Sequence, residues 1–193
     1  MDVATALAGV AAAARACTLC TDLPLGPRPI LRVSATARLL IIGQAPGTKV
    51  HGTGIPWNDP SGDRLRSWLG MSPDAFYDAA RVAIVPTGLC YPGRLPRGGD
   101  APPRAVCAPL WHPRILPLLR EVRLTLLVGS YAQISALGPG PMTERVRDFR
   151  IHLPRYLPLP HPSWRTVGWE ARNPWFTVEV LPALRAHVAT ALA

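Results

Sequence analysis

Three short stretches carry residues with chemical options. Gly43-Gln44-Ala45-Pro46-Gly47 offers a run of backbone amides in a loop that glycine and proline hold tight. Trp57-Asn58-Asp59-Pro60-Ser61-Gly62 adds a flat indole and a carboxylate, and Pro160-His161-Pro162-Ser163-Trp164-Arg165 adds an imidazole followed by an aromatic and a guanidinium. Brought to one rim, these groups form a set able to grip a planar heterocycle and to hydrolyse a bond to it. The cysteines make a second set: Cys17 and Cys20 as a CxxC, then Cys90 and Cys107. Four cysteines in 193 residues are too few for a disulfide scaffold and enough for one metal site. Converging thiolates suit zinc or a cubane iron–sulfur cluster, and spacing alone does not choose between them.

For the rim loops to meet, the segments before them must lie side by side as parallel strands. Arg38-Leu-Leu-Ile-Ile-Gly43 is a continuous apolar run ending at glycine, which reads as a buried parallel strand. Val82 to Val85 and Leu124 to Gly129 repeat the pattern, and Tyr156 to Leu159 is a weaker fourth. Helical character lies over Val3–Arg15, Ser61–Leu69, Pro103–Arg120, Ser130–Leu137 and Pro174–Leu192. Between Thr21 and Ala37, Pro24, Pro27 and Pro29 forbid regular structure and predict a loop wrapping the body. This alternation predicts one domain over residues 1–193, a three-layer α/β/α sandwich around a central, mainly parallel four-stranded sheet. Ligands of such sheets bind in the crevice beyond the strand carboxyl ends, where all three rim loops fall.

An apolar share of 48% with 17% charged residues excludes a disordered tail and leaves room for a real core. Lys plus Arg number 21 against 12 acidic residues, a formal charge of +9, and Lys49 is the only lysine. Guanidinium forks match phosphate oxygens, which points to a polyanionic partner; codon usage favouring Arg, Ala, Pro and Gly is the competing source of the excess. Asp2 and the lack of a basic leader before the opening apolar stretch argue against a secretory signal. No run approaches the roughly 20 apolar residues that cross a bilayer. The expectation is a soluble, cytoplasmic protein with reduced thiols and no membrane partner, monomeric by default for its size.

GQAPG after the first strand, HPS after the last and the four-cysteine pattern together resemble the uracil-DNA glycosylase superfamily, in particular its iron–sulfur branches, families four and five. The similarity runs from Cys17 to about Phe176. It implies the uracil-DNA glycosylase-like sandwich, a partner that is DNA containing uracil or an abasic site, and a [4Fe–4S] cluster on Cys17, Cys20, Cys90 and Cys107 in a structural role. The implied reaction is hydrolysis of the glycosidic bond of a flipped nucleotide, with water as nucleophile.

The resemblance also implies roles. His161 matches the histidine that donates to the base carbonyl as negative charge builds there. Family four carries glutamate where Gln44 stands, and family one carries aspartate where Ala45 stands, so both acids are absent. Family five has an aspartate in the segment matching Trp57 to Gly62, which makes Asp59 the candidate for orienting water; capping the next helix is its other reading. Trp57 stands where relatives stack phenylalanine on the base. Gly43 to Gly47, with Asn58 and Thr87, are candidates for the base edge. Ser163, Trp164 and Arg165 fall where the family wedges the vacated stack, and Arg94 and Arg97 are candidate phosphate contacts. Pro86 replaces the asparagine with which many members read uracil, so hypoxanthine and xanthine stand behind uracil as substrates. A binder of uracil or abasic DNA without efficient turnover, and a zinc-stabilised nucleotide-binding module, are the rival readings.

Overall fold

Four apolar runs form the strands β1 (Leu39–Ile42), β2 (Val82–Ile84), β3 (Leu124–Val128) and β4 (Tyr156–Leu159) in a computed structural model that describes residues 2–96 and 98–193. All pairings are parallel, in the order β2-β1-β3-β4, with Leu39 opposite Val82 and Leu124, and Val128 opposite Leu159. Pro158 sits opposite Leu127 in β4, a position open to proline because β4 is an edge strand. At the other edge Arg32 and Ile84 exchange backbone hydrogen bonds of 2.8 and 2.7 Å, so the proline-rich wrap covers β2.

The helices are α1 (Val3–Arg15), α2 (Thr48–Thr53), α3 (Pro60–Leu69), α4 (Pro73–Tyr77), α5 (Cys107–Ile115), α6 (Ser130–Leu137), α7 (Met142–Arg147), α8 (Thr166–Arg172) and α9 (Leu181–Leu192). Alternation along the strands divides them into two layers. Leu39, Ile41, Leu126, Val128, Leu157 and Leu159 face a core shared with α3 and α9, while Leu40, Ile42, Ala83 and Leu127 face α1 and α5. The expected three-layer sandwich with its four-stranded sheet is therefore the observed one.

Prolines redraw two of the expected helices. The segment from Pro103 to Arg120 is α-helical only from Cys107 to Ile115 and tightens to a 3₁₀ turn at Leu116–Leu118. Pro113 and Pro117 lack the N–H groups that would bond the carbonyls four residues earlier. Pro174 to Leu192 likewise opens with a π turn over Phe176–Val180, because Pro182 has no N–H for the Val178 carbonyl. The short helices α2, α4, α7 and α8 lie in stretches whose patterning is too brief to register.

Helix α3 is the element that the site depends on. Leu65, Trp68 and Leu69 enter the core, where the Trp68 ring meets Phe176 edge-on with centroids 5.0 Å apart. Phe176→Ala removes that wall, and its cavity should cost about 3–5 kcal/mol, read as a lower urea midpoint at an unchanged m-value.

Candidate active site and thiol cluster

The chain turns from β1 to β2 on one side and from β3 to β4 on the other, so the carboxyl ends of β1 and β3 flank a topological switch point. A pocket opens there. It is lined by Gly43, Gln44, Ala45, Pro46, Gly47, Trp57, Asp59, Pro86, Asp100 and His161, among others. The loop after β1 is held from below: the Thr87 amide and hydroxyl donate to the Gly43 carbonyl at 2.9 and 2.8 Å, and the Gly88 amide donates to the Gln44 carbonyl at 2.8 Å. Thr87, expected at the base edge, is buried and spends its hydroxyl on this brace instead of lining the pocket. Asn58 also stays off the wall, in the turn its amide closes onto the Ile55 carbonyl at 3.3 Å.

Trp57 reaches the pocket through strained backbone. Its φ of 58° is the only positive value on a non-glycine residue among the described residues, a conformation costing about 1–2 kcal/mol. Two contacts from α3 hold it. The buried Arg66 guanidinium donates to the Trp57 carbonyl at 3.2 Å and to the Tyr77 hydroxyl at 3.0 Å, and it pairs with Asp63. Gly62 leaves that carbonyl its space, since a Cβ there would lie 1.7 Å from the Trp57 oxygen. The indole lies over Gly43, where a Cβ would meet Cζ2 at 2.8 Å.

Asp59 is the N-cap of α3: Oδ1 accepts from the Gly62 amide at 2.8 Å. The cap uses one oxygen. Oδ2 faces Gly47 across the pocket, 3.7 Å from where a Cβ on that glycine would stand. Asp59 therefore caps α3 with one oxygen while it lines the pocket, its other oxygen facing Gly47.

His161 faces Trp57 with ring centroids 5.7 Å apart and planes tilted by 32°. Its carbonyl accepts from the Ser163 amide at 2.8 Å and from the Thr166 hydroxyl, and Gly129 lets β3 approach the His161 Cβ. Arg64 of α3 ties this loop down, donating to the Ser163 carbonyl at 3.0 Å and pairing with Glu170 at 2.7 Å. Burial lowers the imidazole pKa, against the opposing pull of the Asp59 charge, so the ring is neutral at physiological pH. Among the described residues no protein atom hydrogen-bonds either ring nitrogen.

The rim carries the remaining candidates. Trp164 is 78% exposed beside the pocket, with the Arg165 guanidinium 5.4 Å from its ring centroid. Arg94 is exposed on a hairpin after Cys90 whose turn packs against Arg165 at Gly99; Arg97 lies outside the described residues. Sequence reasoning missed Arg64, Arg66 and Asp100. The first two are hidden among many arginines, whereas Gly98-Gly99-Asp100 is a turn signal that could have marked the return of a hairpin.

Cys17, Cys20, Cys90 and Cys107 line one cavity with Leu89 and Trp111. Burial, then the neighbouring Cys107, Cys20 and Cys17, pushes the Cys90 thiol up to about 11, and burial raises Cys107 too. The Leu89 amide donates to Cys107 Sγ at 3.3 Å. Among the described residues no group of three or more His, Cys, Asp or Glu side chains is arranged to hold a metal ion. None of the helices described is long and apolar enough to cross a membrane.

The packing makes one substitution decisive. Gly62→Ala drives a methyl into the Trp57 carbonyl and should displace the indole while the sheet stays folded, read as altered tryptophan fluorescence with an unchanged far-UV spectrum.

A family model for the uracil DNA glycosylase superfamily matches residues 32–185. The matched region holds every strand, all three rim loops and two of the four cysteines, leaving Cys17 and Cys20 before it. With a match over most of its length and a pocket at the switch point of its sheet, the chain belongs to the uracil DNA glycosylase superfamily.

Proposed function

We propose that the protein removes uracil from DNA by hydrolysing its N-glycosidic bond, leaving an abasic site. The observation that carries this reading is the meeting of the His161 imidazole, the Asp59 carboxylate and the Trp57 face in one pocket on the carboxyl rim. A flipped base enters against the indole, as a planar π system does. The imidazole N–H meets the carbonyl oxygen on which charge builds as the bond breaks. Asp59 faces the sugar, where its charge stabilises the oxocarbenium-like centre and orients water. Arg94, Arg165 and the exposed Trp164 meet the phosphates and the opened stack.

Two variants test the reading in an assay that cuts abasic sites in a single-uracil oligonucleotide. Asparagine caps helices as well as aspartate does, so Asp59→Asn removes the charge and keeps α3. It should slow cleavage by about 10²-fold or more with DNA affinity retained. His161→Ala should cost about 10²- to 10³-fold with the fold intact. Near-normal turnover in both would contradict the reading.

A wider base range has its own support. Pro86 places no amide at the end of β2 and Thr87 is committed to Gly43, so neither offers uracil's edge a side-chain amide. Cleavage of hypoxanthine or xanthine at rates near that of uracil would favour it.

Within the same proposal, Cys17, Cys20, Cys90 and Cys107 hold a [4Fe–4S] cluster in a reducing compartment. Support comes from the shared cavity and the all-thiol donor set, with a backbone amide directed at Cys107 Sγ, and not from a closed coordination geometry. Such a cluster supplies a structural cross-link between the wrap and the loop after β2. The purified protein should be brown and contain iron, and Cys17→Ser or Cys107→Ser should lose colour and lower the Tm. A colourless protein carrying zinc would contradict the assignment.

A further inference from the structure

We propose that Asp100 is a second catalytic carboxylate, which together with Asp59 holds the attacking water over Gly47. This rests on the glycosidic reading above. Asp100 is far from Asp59 in sequence and arrives on the return arm of a hairpin, in which the Leu95 amide donates to the Gly99 carbonyl at 2.9 Å and the Ala101 amide donates to the Gly93 carbonyl at 2.8 Å. Gln44 fastens the end of that hairpin through its 3.1 Å bond to the Ala101 carbonyl. Gln44 is thereby a positioning residue: its amide secures the backbone next to Asp100.

The two carboxylates converge on a single empty point. A Cβ on Gly47 would stand 3.5 Å from Asp100 Oδ2 and 3.7 Å from Asp59 Oδ2. Both oxygens thus border the space that glycine leaves open. The pair is unequal. Asp59 has one oxygen tied to the α3 amide, whereas Asp100 is an exposed residue whose carboxyl lines the pocket and is held above the usual aspartate range by desolvation there and by the Asp59 charge, against the opposing effect of Arg94. Among the described residues the other charged group beside the hairpin is Arg165, packed on Gly99, and the His161 imidazole, its pKa lowered by burial, shares the pocket.

Asp59 commits Oδ1 to the α3 amide, so Asp100 is the carboxylate assigned to accept the proton. In the step, a lone pair of the water oxygen forms the bond to the sugar C1′, and one water proton passes to Asp100. The C1′–N bond breaks with its electron pair leaving on the base, whose anion is met by His161. Asp100 returns its proton to the departing base or to solvent. No other reactant is needed.

Single-turnover cleavage of a single-uracil duplex, with Kd for the same DNA by fluorescence anisotropy, tests the assignment. Asp100→Asn should slow cleavage about 10²-fold with Kd nearly unchanged, and the acid limb of the pH–rate profile should move. Gly47→Ala offers an independent check: its methyl makes ordinary contacts at an unstrained φ, so the fold tolerates it while the water space is filled. It should lose rate with Tm retained. Gln44→Ala should lose part of the rate, and the same variant with Asp100→Asn should lose no more than Asp100→Asn alone. An active wild type whose Asp100→Asn and Gly47→Ala variants both keep their rate overturns the assignment and leaves the glycosidic reading standing. A wild type inert toward uracil, hypoxanthine and xanthine in DNA overturns both.

Discussion

One hydrogen bond organises the pocket: Asp59 Oδ1 accepting the Gly62 amide at the first turn of α3. An N-cap of this kind contributes on the order of 1 kcal/mol to a helix, and here it also fixes the direction of the second oxygen. Because the cap needs only one acceptor, the residue that starts the helix can face a ligand with the other. The same helix supplies Arg66 to the Trp57 carbonyl and Arg64 to the Ser163 carbonyl, so two loops distant in sequence are held from one rigid element. Its opposite face is buried against the C-terminal segment, which makes the core the anchor of the site.

The sheet decides where this clamp acts. Parallel order β2-β1-β3-β4 leaves a crevice between the outward turns after β1 and β3, and the loops that enter it are tied to the sheet by backbone bonds at Gly43 and by the Gln133 amide on the Leu159 carbonyl at 2.9 Å. The Trp57 backbone is held in a left-handed conformation that packing must maintain, a local strain of the sort found where a side chain has to be presented to a ligand. The thiol cavity lies on the far side of the loop after β2, where the proline-rich wrap meets α5. A link there would steady the base of the hairpin that carries Arg94 and Asp100.

Much of this was legible in the sequence for physical reasons. Strands buried on both faces read as continuous apolar runs, and β4 with its internal proline was still visible because an edge strand tolerates one. The alanine-rich α1 declared itself by propensity. GQAPG and HPS marked the rim because each ends a strand. What stayed hidden depends on long-range packing. Asp100 reaches the pocket from a distant hairpin whose end Gln44 holds, Thr87 turns inward because the Gly43 carbonyl is there to accept, and the π turn before α9 comes from a proline acting on a carbonyl one turn back.

The central claim is that the pocket between Trp57 and His161, framed by α3, receives a flipped base. The most direct measurement is a crystal structure of the Asp59→Asn variant bound to a duplex containing a single uracil. The account predicts the base extruded against the Trp57 indole, a carbonyl oxygen within hydrogen-bond distance of the His161 ring, and the sugar C1′ facing residue 59 above Gly47. A uracil left stacked in the duplex, or seated away from His161 while the DNA lies on the Arg94 and Arg165 rim, would contradict it.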